Sequence, residues 1–387
     1  MRQVYCLASV LALGCGLAES AHAGRAKLID TFPTGGYYPD YGLTATQGAL
    51  YGVTSLGNSQ DDACGTVFQL VRHHGQWAST TLHSFSCGNG SGEPNPLTVD
   101  GATGDVWGSI SSGSYGVVFR LVKPHGAGEW AYETIYQFQG GTDGNLNSIQ
   151  APLLLQGGAA FGMADAANNG SGADFYSLTN NGSTWQKTTL ATIANLHANA
   201  IVGFDAAGAV YISANQAGAA SHVYQLVPQQ GGSWTVTSIA QFNLGHVYGS
   251  ISNLVLDGTG NVFGLEARNI KSDVFELMPP TGGGTKWTKS IIADPSRRRY
   301  GLTSLALGLG GDLVGTIYGD QDSYGGAAIA MTPPTNGGTT WTSTVLWDFS
   351  RRGPDSNPLS INVGPYGNYY GTMNNTYDNG AVYELKR

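Results

Sequence analysis

Apolar and polar positions alternate along this chain in short bursts, divided by glycine-rich polar stretches. One full cycle runs Leu50-Tyr51-Gly52, a polar loop, Gly65-Thr66-Val67-Phe68-Gln69-Leu70, a turn, and then Trp77 to Phe85. The opening phrase returns as Val106-Trp107-Gly108, Ala160-Phe161-Gly162, Val210-Tyr211-Ile212, Val262-Phe263-Gly264, Leu313-Val314-Gly315 and Tyr369-Tyr370-Gly371. The central positions 51, 107, 161, 211, 263, 314 and 370 stand 50 to 56 residues apart. Short strand-like pieces at a period in this range mark a propeller or a similar array.

Each unit reads as four strands. In the second they are Pro96-Leu97-Thr98-Val99, Asp105 to Ser109, Val117 to Leu121, and Trp130 to Phe138. The third strand recurs at Phe68, Phe119, Tyr176, Tyr224, Phe275, Ala330 and Tyr383; the fourth opens at Trp77, Trp130, Trp185, Trp234, Trp287 and Trp341. Five residues beyond each tryptophan stands Leu82, Ile135, Leu190, Ile239, Ile292 or Leu346, and eight beyond it Phe85, Phe138, Ile193, Phe242, Pro295 or Phe349. Even offsets in a strand share a face. The tryptophan and the +8 residue are therefore expected on one face and the +5 aliphatic on the other. A sheet apolar on both faces is what a blade between two blades requires.

The count of pieces predicts how the ring closes. The seventh unit ends at Tyr383-Glu384-Leu385-Lys386-Arg387 with no tryptophan strand after it. Lys27-Leu28-Ile29-Asp30-Thr31-Phe32 matches the end of such a strand, with Ile29 at the +5 place and Phe32 at +8. The expected fold is all-β: a seven-bladed β-propeller of four-stranded antiparallel blades, its last blade completed by the N-terminal strand. Residues 24–387 then form one domain.

Residues 1–23 differ in kind. Arg2, an apolar run from Val4 to Leu17 and Ala21-His22-Ala23 compose a secretory leader, cleaved after Ala23 and too short to span a bilayer. A lipoprotein reading through Cys15 fits its flanking residues poorly. The protein is expected in the periplasm, at the cell surface or outside the cell. Composition agrees with many turns and strands: 58 glycines, 20 tyrosines and 11% charged residues. A formal charge of −8 argues against nucleic-acid or anionic-membrane surfaces.

The phrases Leu-Tyr-Gly-x-Thr, Gly-Thr-Val-Phe-x-Leu and Trp-x-x-x-x-Leu-x-x-Phe resemble the GloVer-type tandem repeats of secreted bacterial proteins. Gly140-Gly141-Thr142-Asp143-Gly144-Asn145 and Asn357-Pro358 echo the Gly-x-Asp-Gly-x-x-Pro loop of that family. The resemblance covers residues 26–387, with departures at Ile212, Val314 and Ala330. It implies secretion and a repeat fold, and it carries over no catalytic residue.

Two cysteines, Cys6 and Cys15, leave with the leader, while Cys64 and Cys87 remain in an exported chain where disulfides persist. Both stand in loops expected on one face of the first blade, so a disulfide between them is one reading and two free thiols the other. No histidine or cysteine array has zinc spacing, and His73-His74 sits on a turn. Asp143 in Thr-Asp-Gly lacks a second carboxylate at calcium-loop spacing, so neither metal nor cofactor is expected.

Propeller function concentrates where loops converge on the axis. The blade-joining loops hold Tyr38 and Tyr41, His197, His246 and Tyr248, Arg298, Arg299 and Tyr300, and Arg352 and Asp355. Five of the chain's 18 Lys and Arg (297, 298, 299, 351 and 352) occupy two of these loops. Such a rim suits a carboxylate- or sulfate-bearing glycan, since guanidinium pairs bidentately and tyrosine stacks; the alternative is a solvated loop whose arginines pair with Asp294 or Asp355. Two function classes follow. One is a monomeric, non-catalytic propeller binding an extracellular glycan or protein. The other is a secreted carbohydrate-active enzyme such as a polysaccharide lyase, in which Arg neutralises a uronate while Tyr or His moves the proton. No Gly-x-Ser-x-Gly elbow or metal motif supports a serine hydrolase or metalloenzyme.

Overall fold

A computed structural model describes residues 25–32, 39, 41–55, 65–85, 94–111, 115–146, 149, 151–166, 172–194, 197–215, 220–244, 250–268, 271–282, 284–293, 301–319, 326–334, 340–349, 357–374 and 380–386. Tight glycine turns join strands too short and too β-branched to be helices, and the strands collect into seven antiparallel meanders. Blade 1 runs outward from the axis as Thr44–Ala45, Ala49–Thr54, Thr66–His73 and Gln76–Ser84. Blades 2 to 6 repeat this order, ending in the outer strands Ala131–Gln137, Trp185–Ala194, Trp234–Phe242, Thr288–Ala293 and Thr342–Asp348. Two short 3₁₀ turns, Gly141–Asp143 and Pro365–Gly367, interrupt the strand pattern.

Blade 7 is built from both ends of the chain. Its inner strands are Asn357–Pro358 with Asn362–Val363, Tyr369–Asn374 and Ala381–Lys386, and Arg25–Thr31 supplies the outer one. Ala26 pairs with Leu385, Leu28 with Tyr383 and Thr31 with Ala381. The expected seven blades and strand exchange are both present.

One expectation about faces is corrected. Every outer strand carries a β-bulge at the +5 aliphatic. Thr81 and His83 pair with Phe68 and Val67, leaving Leu82 without an opposite residue. Ile135, Leu190, Ile239, Ile292, Leu346 and Ile29 are skipped in the same way. The extra residue reverses the parity of all that follows. The +5 and +8 side chains therefore share the face toward the next blade, and the tryptophan faces the preceding one. Leu82 and Phe85 pack on the blade 2 core with Trp130, while Ile29, Phe32 and Trp77 meet at the seam of blades 7 and 1.

Neighbouring blades thus exchange rings in both directions. Each tryptophan meets the aromatic of the preceding blade's second strand. Trp77 lies 5.5 Å from Tyr370, Trp130 6.3 Å from Tyr51, Trp185 5.4 Å from Trp107 and Trp341 5.9 Å from Phe263, all edge-on. In return the +8 ring meets the third-strand aromatic of the next blade. Phe85–Phe119, Phe138–Tyr176, Phe242–Phe275, Phe349–Tyr383 and Phe32–Phe68 are 4.7–5.4 Å apart. Each such pair contributes about 0.5–1.5 kcal/mol beyond simple burial.

The glycine after the second-strand aromatic makes room for that third-strand ring. A Cβ on Gly108 would stand 2.5 Å from Phe119. Where Ile212 replaces it, the opposite ring, Tyr224, is only partly buried, whereas Phe119 and Phe275 are wholly buried. In blade 6 the residue opposite Gly315 is Ile329, so the counterpart of Phe68 is Ile329 rather than Ala330. The missing ring in that strand misled the alignment by one position.

Deleting residues 25–32 is expected to expose the Ala381–Lys386 edge and to cause aggregation or a large fall in melting temperature. Phe32→Ala alone should cost about 3 kcal/mol by chemical denaturation, because it empties one seam position without removing the ladder. An unchanged melt for the deletion would refute ring closure by the N-terminal strand.

Candidate functional site

The innermost strands converge on a central cavity of about 530 Å³, lined by residues of all seven blades from Tyr41–Thr44 round to Leu359–Asn362. Side chains at and beside its wall link neighbouring blades. Thr44 Oγ1 donates to the Leu97 carbonyl at 2.6 Å, Thr98 Oγ1 to Leu153 at 2.5 Å and Ser213 Oγ to Ile251 at 3.0 Å. Asn253 Nδ2 reaches the Thr303 carbonyl at 3.4 Å, and Thr303 Oγ1 that of Pro358 at 3.3 Å. Asn362 Nδ2 closes the belt on Leu43 at 2.8 Å, and Thr372 Oγ1 donates to Tyr41 at 3.2 Å.

Asn253 interrupts its own strand. Ser252 pairs with Leu265 and Val255 with Phe263, so Asn253 and Leu254 crowd opposite one glycine. Asn253 takes a left-handed φ of 51°, which asparagine tolerates better than most residues. The cavity wall is therefore neutral: Thr44, Ser252, Asn253, Thr303, Ser304 and Asn362 offer hydroxyls and amides among leucines and prolines. Among the described lining residues there is no carboxylate, histidine, lysine or arginine.

Of the rim residues read from the sequence, Tyr41 lies at the cavity and packs against the core between blades 1 and 2. His197 opens the innermost strand of blade 4, opposite Asn215. Tyr38, His246, Tyr248, Arg298, Arg299, Tyr300, Arg352 and Asp355, like Cys64 and Cys87, lie outside the described residues. In chain order, the segments that carry the rim residues follow an outer strand and precede or open the next innermost strand. Residues 294–300 lead to Leu302 and Thr303, and 350–356 lead to Asn357 and the cavity wall at Leu359. Asn253, Thr303 and Asn362 escaped the sequence reading because it followed charge. The Ser-Asn-Leu in place of the Pro-Leu of units two and three was the available signal.

The buried charges serve the blade seams. Asp143 accepts from Tyr136 Oη and the Gln139 N–H, both at 2.8 Å, and from Lys187 Nζ at 3.2 Å. Lys187 Nζ also stands 5.2 Å from the centre of the Phe138 ring in the preceding blade. Burial, with the hydrogen bond to Asp143, pushes the Tyr136 hydroxyl up to about 12. No cluster of three metal-ligating side chains occurs among the described residues.

Blade 5 repeats the device. Lys289 Nζ stands 3.7 Å from the Phe242 ring centre and donates to Glu266 at 2.8 Å, while Arg268 Nε donates to the other oxygen at 3.0 Å. Glu266 is fully buried where other blades place Ile110, Ile317 or Met373. Burial pushes its carboxyl up, but the bonds from Lys289 and Arg268 together outweigh burial and hold it below its ordinary range.

No protein-family model matches the sequence, and no curated protein matches it. Solved structures share the fold. A prolyl endopeptidase aligns with a TM-score of 0.56 and 10% identity over 92% of this chain, which spans 47% of the peptidase. YCF48 from Cyanidioschyzon merolae aligns with a TM-score of 0.55 and 12% identity, covering 93% of this chain and 98% of that one. A PL25 ulvan lyase, a polysaccharide lyase bound to -[GlcA(1-4)Rha3S]-, gives 0.56 and 11%, covering 93% and 96%. These likenesses establish the class, a β-propeller. No helix among the described residues is long and apolar enough to cross a membrane.

Glu266 makes stability depend on pH with a definite sign. A depressed folded-state pKa contributes stability above the unfolded-state value and loses it as pH falls through the folded-state value. The melting temperature should therefore fall on acidification below about pH 5. Glu266→Gln should be less stable at neutral pH by about 1–3 kcal/mol and flatter over the acid window. Parallel acid profiles for the two proteins would remove Glu266 from that role.

Proposed function

We propose that this protein is an exported β-propeller that binds an extracellular glycan where its blade-joining segments surround the mouth of the axial cavity. One observation supports this reading above the rest: the arginine-bearing segments 294–300 and 350–356 feed directly into strands that line a neutral, hydrogen-bonding cavity. The hydroxyls and amides of that wall donate into the bonds between blades, and the oxygen lone pairs they keep suit the hydroxyl donors of a sugar. Arg298, Arg299 and Arg352 would add fork-shaped donors for a carboxylate or sulfate, with Tyr38, Tyr41, Tyr248 and Tyr300 as stacking surfaces and His197, His246 and Asp355 as further polar contacts.

Polysaccharide lyase activity is the second reading. It draws on the fold shared with the ulvan lyase, at an identity that carries architecture alone. The same fold is shared with a peptidase, so architecture does not choose between binding and catalysis. Screening the purified protein against acidic polysaccharides, reading both retention and the absorbance of an unsaturated product, separates the two. Retention without product supports binding; product supports the lyase.

Arg298→Ala with Arg299→Ala is expected to weaken retention about tenfold or more, because each charge-assisted contact is worth about 1.5–3 kcal/mol. Added salt should weaken the wild type more than the variant. The melt should hardly move if both residues act in binding rather than in the fold. Equal binding of every acidic glycan by the two proteins would defeat the rim reading, and an unfolded variant would assign the arginines to structure.

Export through the leader at residues 1–23 places Cys64 and Cys87 where disulfides persist. Both thiols should resist alkylation in the secreted protein and react after reduction. Two free thiols by mass spectrometry of untreated protein would exclude the bond.

A further inference from the structure

The face opposite the rim carries a turn unlike its counterparts. Between the innermost and second strands, blades 2, 4 and 5 place Asp100, Asp205 and Asp257, whose carboxylates accept from the N–H two residues on at 2.8–2.9 Å. These are ordinary aspartate-capped hairpins. Blade 7 instead has Gly364-Pro365-Tyr366-Gly367-Asn368. Tyr366 at its tip has φ 64° and ψ 15° and is 60% exposed. A left-handed backbone is disfavoured for residues other than glycine, asparagine and aspartate, and no buried packing holds this ring in place. An aromatic kept at a conformational cost and presented to solvent points to use at the surface.

Three further observations converge there. The ring borders an open cleft of about 650 Å³ across the seam of blades 7 and 1, walled by Thr46 and Gln47 on one side and Val363 to Pro365 on the other. The Arg72 guanidinium lies 5.4 Å from the centre of the Tyr366 ring. Arg72 donates from Nε to the Gly75 carbonyl at 3.3 Å, and no carboxylate among the described residues forms an ion pair with it. An arginine in that state, beside an exposed ring and a side-chain amide, matches a pyranose bearing an anionic substituent.

We propose that this seam is a second saccharide-binding site, specific for an acidic pyranoside. The sugar stacks its C–H face on Tyr366, Arg72 pairs with its carboxylate or sulfate, and the Gln47 amide bonds a hydroxyl. The site is distinct from the rim and does not depend on it.

The test uses the full chain with Arg298→Ala and Arg299→Ala in place, so that the rim contributes nothing. Calorimetric titration with a galacturonate tetrasaccharide and with neutral cellotetraose is expected to show the acidic probe preferred. Tyr366→Gly removes the ring and relieves its backbone; it should weaken the acidic probe about tenfold or more without lowering the melting temperature. Arg72→Gln should weaken the acidic probe about tenfold and leave any binding of the neutral one unchanged. Absence of binding by the acidic probe in the rim-deficient background, or affinity unaltered by Tyr366→Gly, overturns the proposal. Should Tyr366→Gly fail to fold, Tyr366→Asn, which also accepts this φ, carries the same test. Full retention by the rim variant with loss in Tyr366→Gly would sink the rim reading and leave this one standing.

Discussion

The ring stands on a reciprocal exchange of aromatic side chains across each blade seam. A tryptophan reaches back to the preceding blade, as Trp130 does to Tyr51, and a phenylalanine reaches forward, as Phe138 does to Tyr176. Both come from one outer strand, and they face opposite ways because the bulge at the +5 aliphatic inverts the strand between them. Without that extra residue the tryptophan and the +8 ring would share a face, and the outer strand could not send a ring to both neighbours. The bulge is thus the geometric condition for the two-way exchange of rings.

Departures from the repeat fall in complementary places. Val314 has lost the second-strand ring, and the outer strand that would meet it starts at the N-terminus, where the tryptophan place falls on Gly24. Ile329 stands where a third-strand ring is usual, and the +8 residue of the preceding blade is Pro295. At these two seams both members of the pair are absent, whereas blade 4 keeps Tyr224 although the +8 residue before it is Ile193. Blade 7 gains instead from covalent economy: its ladder joins residues near the two ends of the chain, and opening the ring requires breaking all of it.

Charge is divided between interior and surface by the same architecture. Lys187 and Lys289 occupy one repeat position, two beyond the tryptophan, and both lie over the phenylalanine of the preceding blade while a carboxylate receives them. Buried ions survive there because each is paired and hydrogen-bonded. The axial wall, by contrast, is neutral, and its hydroxyls and amides are largely spent on the belt between blades.

Blade number, strand order and closure by Lys27 to Phe32 were all legible in the sequence, because a repeat at fixed spacing reports pairing directly. Which face each apolar residue took was not, since alternation assumes an unbroken ladder and a bulge leaves no mark in composition. The same limit made Ala330 look equivalent to Phe68, when backbone register selects Ile329. Charged rim residues were visible by their rarity. The polar wall at Asn253, Thr303 and Asn362, the seam lysines and the Tyr366–Arg72 pair were not, because residues as far apart as 72 and 366 become neighbours only when the ring closes. Sequence by itself determined the repeat and its topology, which depend on local periodicity. Tertiary structure decided which side chains meet, which depends on register and closure.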